Sequence, residues 1–146
     1  MITREQGLLT WASRWCTLTA WRRDLSEVKV EISNRIHAGR LGTCFSRQQR
    51  VVIYKGDSFV DELGTVLHEL AHAATIGSSH DERWQTVYSA AVTEVTGIAV
   101  TPCAYNYEVL NAAAKDAVRT WWRTSGNAAI WRMAHRKDVG HAPGHE

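Results

Sequence analysis

The sequence predicts an α+β fold. Three observations carry the prediction: helix-period apolar spacing near the N-terminus, period-two alternation between residues 28 and 54, and a return to helix-period spacing from residue 58 onward. Leu8, Leu9, Ala12, Trp15, Cys16 and Thr19 recur along one face of a helix predicted over Thr3 to Leu25, which should pack on a sheet. Val28, Val30 and Ile32 alternate with Lys29 and Glu31 as a half-buried strand. Leu41 to Phe45 and Val51 to Tyr54 complete a small three-stranded sheet, with Ser46 to Gln49 as a hairpin connection.

Asp57 or Ser58 offers the N-cap of the next helix, and Asp61 and Glu62 place carboxylates in its first turn, where the helix dipole favours them. Val60, Leu63, Gly64, Leu67, Leu70, Ala71 and Ala74 form its apolar stripe, and Gly77 supplies the stop. A following helix carries Trp84, Val87, Tyr88, Ala91, Val92 and Val95 on one face. The segment from Ile98 to Cys103 breaks it, with Pro102 ending regular structure. A C-terminal helical tail resumes at Tyr107, Leu110, Ala114, Ala117, Val118, Trp121 and Trp122 up to about Gly126, and Ala128 to Arg136 form a shorter stretch. Residues 1–100 therefore read as the principal domain, 101–137 as a helical extension packed on it, and 138–146, with His141 and His145, as a disordered end.

At 146 residues the chain is long enough to bury one core, and its 45% hydrophobic content is that of a globular domain. Arg14, Arg22 and Arg23 interrupt any apolar leader near the N-terminus, and no run is long enough to span a membrane. Cys16, Cys44 and Cys103 are odd in number and widely spaced, which suits reduced thiols; the expectation is a cytoplasmic monomer without membrane contact.

Within the second predicted helix, His68-Glu69-Leu70-Ala71-His72 carries the chemistry. Two histidines four residues apart lie one turn apart on a helical face, so both imidazoles can reach one Zn2+ ion. Glu69 lies beside them as a general base that takes a proton from zinc-bound water and hands it to a leaving amine. A catalytic zinc takes a third protein ligand and leaves a position open. Two residues compete for that role: His80, just past the Gly77-Ser78-Ser79 turn, and Glu94 on the following helix. Tyr88, Tyr105 and Tyr107 are candidate donors to a developing oxyanion.

Four segments together resemble the SprT-like zinc metalloproteases, a zincin family whose members include a protease of DNA–protein crosslinks. They are Arg40-Leu41-Gly42-Thr43-Cys44, Arg50-Val51-Val52-Ile53-Tyr54, Val66 to Ala73 around the two histidines, and His80-Asp81-Glu82-Arg83-Trp84. The resemblance spans about Ser33 to Val95. It implies a zincin-like catalytic domain in residues 1–100, with His68, His72 and His80 as ligands of one zinc ion and Glu69 as the base. It also implies a metalloendopeptidase acting on a protein or peptide substrate, with DNA-associated proteins as the suggested class. Asp81 departs from the glycine usual in that family, and without a C-x-x-C pair the chain carries no zinc ribbon. The metzincin alternative fails on register, since two extra residues separate His72 from Gly77, and Met133 lies in a helical, Trp/Arg-rich context.

Arg35, His37, Arg40, Arg47, Arg50 and Lys55 form a basic stretch with no acidic residue between Glu31 and Asp57. Arg35, Arg40, Arg47 and Arg50 are its candidate DNA contacts, against a hairpin edge protected by charge. In the tail, Lys115, Arg119, Arg123, Arg132, Arg136 and Lys137 interleave with Trp121, Trp122 and Trp131; packing of the tryptophans onto the domain is the favoured reading over base stacking. The second functional reading is a metal-stabilised DNA- or protein-binding module without proteolysis. A fourth ligand, such as Cys103 or Asp81, would mark it.

Overall fold

The computed structural model describes residues 2–103 and 105–131. Arg132, Met133, Arg136, Lys137, His141 and His145, and with them the expected disordered end, lie outside the described residues. The order of elements is α1 (Arg4–Trp15), β1 (Lys29–Ile32), β2 (Gly42–Phe45), β3 (Arg50–Ile53), α2 (Phe59–Ala74), α3 (Glu82–Thr96) and α4 (Tyr107–Thr124). The α+β class is as expected.

The first helix is shorter than its apolar pattern. Thr3 opens α1 with a reciprocal capping box to Gln6, but the helix stops at Trp15 and the chain turns back through a 3-10 turn at Thr19–Trp21. The reversal is held by tertiary contacts that helix periodicity cannot anticipate. The Trp21 indole donates to the Trp15 carbonyl at 2.5 Å, and the Leu25 amide donates to the Cys16 carbonyl at 2.9 Å. Both bonds satisfy carbonyls orphaned at the helix end, and the turn buries Trp21 and Leu25. Thr19, expected on the buried face, is exposed.

The sheet has the order β1-β3-β2, with β1 parallel and β2 antiparallel to β3. Lys29 pairs with Arg50 and Ile32 with Ile53 on one side; Gly42 pairs with Ile53 and Phe45 with Arg50 on the other. Ser46–Gln48 forms a 3-10 turn in the β2–β3 connection, closed by Gln49 in the left-handed region. This order leaves β2 at a sheet edge.

Helix α2 is the centre of the molecule. Ser58 caps it, accepting from the Asp61 amide at 3.2 Å. Twelve of its sixteen residues are buried, so it is enclosed on nearly every side and is not a one-faced surface helix. The sheet covers it through Val51 and Ile53, α1 through Leu8 and Ala12, α3 through Trp84, Ala91 and Val92, and α4 through Leu110, Ala114 and Val118. Two buried carboxylates tie α2 to its neighbours. Glu62 accepts from Arg4 of α1 at 2.9 and 3.0 Å and from the Gly56 amide at 2.8 Å. Asp61 accepts two bonds from Arg119 of α4 at 2.9 and 3.1 Å. A bidentate arginine pair fixes orientation as well as distance.

Tryptophans of the tail pack inward. Trp122 and Trp131 are buried, Trp131 stacks on Phe59 at 4.0 Å between ring centroids, and Trp121 meets Trp11 edge-on at 5.4 Å. Arg119 is committed to Asp61, which removes it from the basic set of the tail. No helix is long and apolar enough to cross a membrane among the described residues.

Candidate metal centre

His68 and His72 lie on α2, and the turn past Gly77, whose φ is +82°, brings His80 back over them. Asp81 stands at the N-cap of α3 with φ −84°, its carboxylate accepting from the Trp84 amide at 3.2 Å. That backbone is extended, and an aspartate serves it better than glycine. His80 Nε2 lies 3.2 Å from Nε2 of both His68 and His72, and the ligand atoms of all three residues lie within 4.8 Å of one another. A tetrahedral ion with metal–nitrogen bonds of about 2.05 Å separates its ligands by about 3.3 Å. The donor set therefore fits a metal ion. One proton shared at His80 Nε2 would satisfy only one of its two close contacts, whereas a cation satisfies all three lone pairs.

Surrounding groups hold the rings in place. His68 Nδ1 lies 3.0 Å from Oδ1 of Asn111, so it carries the proton and leaves Nε2 free as a ligand. His72 has a backbone hydrogen bond with Ser78. His80 stacks on Tyr107, with ring centroids 3.9 Å apart and planes at 9°. Trp84 is fully buried beneath the cluster, stacking on His72 at 5.1 Å and donating its indole N–H to the His68 carbonyl at 3.3 Å. Gln85 donates to the His80 carbonyl at 3.3 Å and accepts from the Cys103 amide at 2.8 Å.

Burial sets the protonation states. It pushes His68 down to about 3, helped by His72, and His72 down to about 4, helped by His80; it also lowers His80. Neutral imidazoles are the form a metal requires. Glu69 is buried beside them, and burial pushes its carboxyl up to about 8 against the opposing pull of Arg40. Tyr88, also buried, lies with its ring 5.5 Å from that of His68 and keeps its phenolic proton, since burial and Glu69 both raise its pKa.

These residues open onto a cleft of about 760 Å³. Its floor is the α2 face carrying Asp61, Gly64, Thr65, His68, Glu69 and His72. One wall is residues 39–44, leading into and along β2; the other is Tyr107, Asn111, Ala112 and Lys115 of α4. The α4 wall belongs to the site, although the sequence pattern places this helix in an extension beyond residue 100. Gly42 allows β2 to lie against α2. A Cβ there would fall 2.8 Å from Thr65 Cγ2 and 2.9 Å from Glu69 Cγ. The Leu41 carbonyl accepts from the Tyr54 amide at 2.9 Å, so by alternation Gly42 and Cys44 turn their backbone groups toward the free edge.

Glu94 is not part of the cluster. It accepts from the Thr19 and Ala20 amides at 3.0 and 2.9 Å and pins the 3-10 turn to α3. Among the described residues the group able to hold a metal is His68, His72 and His80; Asp81 is used as a cap, and Cys103 does not join them. Of the tyrosines, Tyr88 and Tyr107 line the cleft and Tyr105 is fully exposed. The four arginines of the strand region are not one free patch. Arg50 is paired with Glu31 and lies over the Phe45 ring, whereas Arg40 lines the cleft and donates to Thr43 Oγ1 at 3.3 Å. Arg47 extends toward Gly77, and Arg35 is exposed near the end of β3, its carbonyl accepting from the Lys55 amide.

Asn111 carries no motif that assigns it to a site, Tyr107 is one of three candidate tyrosines, and Gly42 enters only within the segment Arg40 to Cys44. Asn111 and Tyr107 share a helical face four residues apart, which is the one local sign of their common role. Comparison with protein-family models, curated proteins and solved structures gives no significant match.

Proposed function

We propose that this chain is a zinc-dependent metalloendopeptidase of the zincin, SprT-like type. The observation that carries the proposal is the convergence of three neutral imidazoles beside a buried carboxylate, with no fourth protein ligand among the described residues. A structural zinc normally takes four protein ligands and has no use for an adjacent base. The binding-module reading finds no such fourth ligand in Cys103 or Asp81.

His68, His72 and His80 would hold the ion, which supplies a Lewis acid that eases deprotonation of water and polarises the scissile carbonyl. The remaining steps fall to the chain's own groups. Glu69 takes the proton of the attacking water on its carboxylate and delivers it to the departing amine. Tyr88 lines the cleft and has no hydrogen bond to another described residue, so its hydroxyl is the proposed donor to the carbonyl oxygen as charge develops there. Backbone groups of Gly42 and Cys44 align an extended substrate by adding a strand to the edge of β2. Three free cysteines suit a reducing, cytoplasmic setting. DNA-associated proteins remain the proposed substrate class, with exposed Arg35 and Arg47 as phosphate contacts, and DNA binding should weaken steeply with salt.

The test is proteolysis of an unfolded protein before and after chelation. Loss of cleavage with chelator and its return with stoichiometric zinc is the expected outcome. Cleavage indifferent to chelator contradicts the proposal.

A further inference from the structure

The cleft has a second polar feature, one helical turn from the metal ligands. Gly64 is buried in α2, yet a Cβ built on it meets nothing within 4 Å beyond its own helix, so it opens a hollow in the cleft floor. Antiparallel packing of α4 on α2, fixed by Asp61 with Arg119 at one level and His68 with Asn111 at the next, sets Lys115 of α4 between those two levels, the same interval of α2 that holds Gly64. Ala112 lines the same wall with a small side chain. From the opposite wall comes Arg40, two residues before Gly42, whose backbone rests on Thr65.

Cations outnumber unpaired carboxylates in this part of the cleft. Lys115 makes no ion pair among the described residues; Arg40 makes one neutral hydrogen bond, to Thr43, and faces Glu69 electrostatically. The carboxylate at the same end, Asp61, is already neutralised by two bonds from Arg119. Glu69, the other carboxylate of the cleft, is next to the histidine cluster and is the one that Arg40 faces, which leaves Lys115 as the cation without a carboxylate among the described residues. We propose that the hollow over Gly64, flanked by Lys115 and Arg40, is a specificity subsite for an acidic side chain of the substrate, close to the scissile bond. The inference rests on the peptidase reading and adds the substrate class: polypeptide segments with Glu or Asp near the cleaved bond. A neutral hollow would reward apolar bulk; cations on opposite walls, Lys115 with no ion pair among the described residues, reward a carboxylate and discriminate against Lys and Arg.

The experiment uses zinc-loaded protein and a peptide series in which one Glu, or one Gln, is walked through an otherwise neutral sequence. At one position Glu should exceed Gln by roughly tenfold in kcat/KM. Lys115→Glu should abolish or invert that ratio, and Gly64→Leu, which fills the hollow from a helical position with no backbone penalty, should level it. A second readout is calorimetric binding of the same peptides to zinc-loaded Glu69→Gln protein, where the Glu peptide should bind more tightly and Lys115→Glu should remove the difference. Cleavage by the wild type without any Glu preference, or a preference that survives Lys115→Glu, overturns the subsite and leaves the peptidase reading standing. Absence of both cleavage and binding overturns the two together.

Discussion

Asn111 of α4 and His68 of α2, separated by 43 residues in sequence, meet at 3.0 Å through Oδ1 and Nδ1. The contact decides which nitrogen of His68 faces the centre and makes α4 part of the site. Outer hydrogen bonds of this kind are worth about 10–100-fold in metal affinity. Asn111→Ala should therefore weaken zinc binding by about that factor in a competitive chelator titration, with the helical circular dichroism unchanged. Unaltered affinity would mean that packing alone orients His68.

The proposed third ligand separates cleanly by substitution. His80→Ala should reduce bound zinc far below one equivalent, whereas Glu94→Ala should keep full occupancy, because Glu94 serves the Thr19–Trp21 turn. Elemental analysis of the two purified variants gives the answer, and the reverse pattern would move the site.

Glu94 also predicts a pH effect. Burial opposes its charge, but amide bonds from Thr19 and Ala20 outweigh that and hold its pKa below the ordinary value of 4.5. A carboxylate with a depressed folded pKa stabilises the fold above its unfolded pKa, and that contribution is lost as pH falls through the folded value. Thermal melts should show wild type and Glu94→Gln diverging above about pH 4.5 and converging below it. Parallel curves across the range would deny the carboxylate this role.

Gly42 is a packing requirement. An added methyl would collide with Thr65 Cγ2 and Glu69 Cγ, and overpacking of this kind costs about 1–3 kcal/mol. Gly42→Ala should lower the melting temperature accordingly, and Thr65→Ser in the same chain, by removing Cγ2, should recover part of the loss. Absence of any loss in the single variant would show that β2 can move away from α2.

Local spacing made the candidate metal ligands legible. His68 and His72 follow from helical periodicity, and His80 from a short glycine turn, so the site's core is written within thirteen residues. Strands and later helices were legible for the same reason, since each pattern lies inside its own element. What periodicity could not supply is tertiary. The apolar pattern of Thr3 to Leu25 overruns α1 because the Trp21–Trp15 and Leu25–Cys16 bonds fold the chain back. Glu94 has the right chemistry for a ligand, and only its contact with Thr19 and Ala20 shows it engaged elsewhere. Arg50 and Arg119 read as free cations until Glu31 and Asp61 are found against them.

Tyr88→Phe removes one hydroxyl and nothing else from a buried ring. Loss of an oxyanion donor typically costs about 100–1,000-fold in kcat, and zinc content and KM should hardly change. Unchanged kcat would assign the ring to packing against Trp84.

The most direct test of the metallopeptidase proposal is cleavage of an unfolded protein by zinc-loaded wild type and zinc-loaded Glu69→Gln, matched for metal content. The expected result is proteolysis by the wild type and a loss of at least about 100-fold in the variant, with one zinc retained in each. Equal proteolysis by both, or none by the wild type, contradicts it.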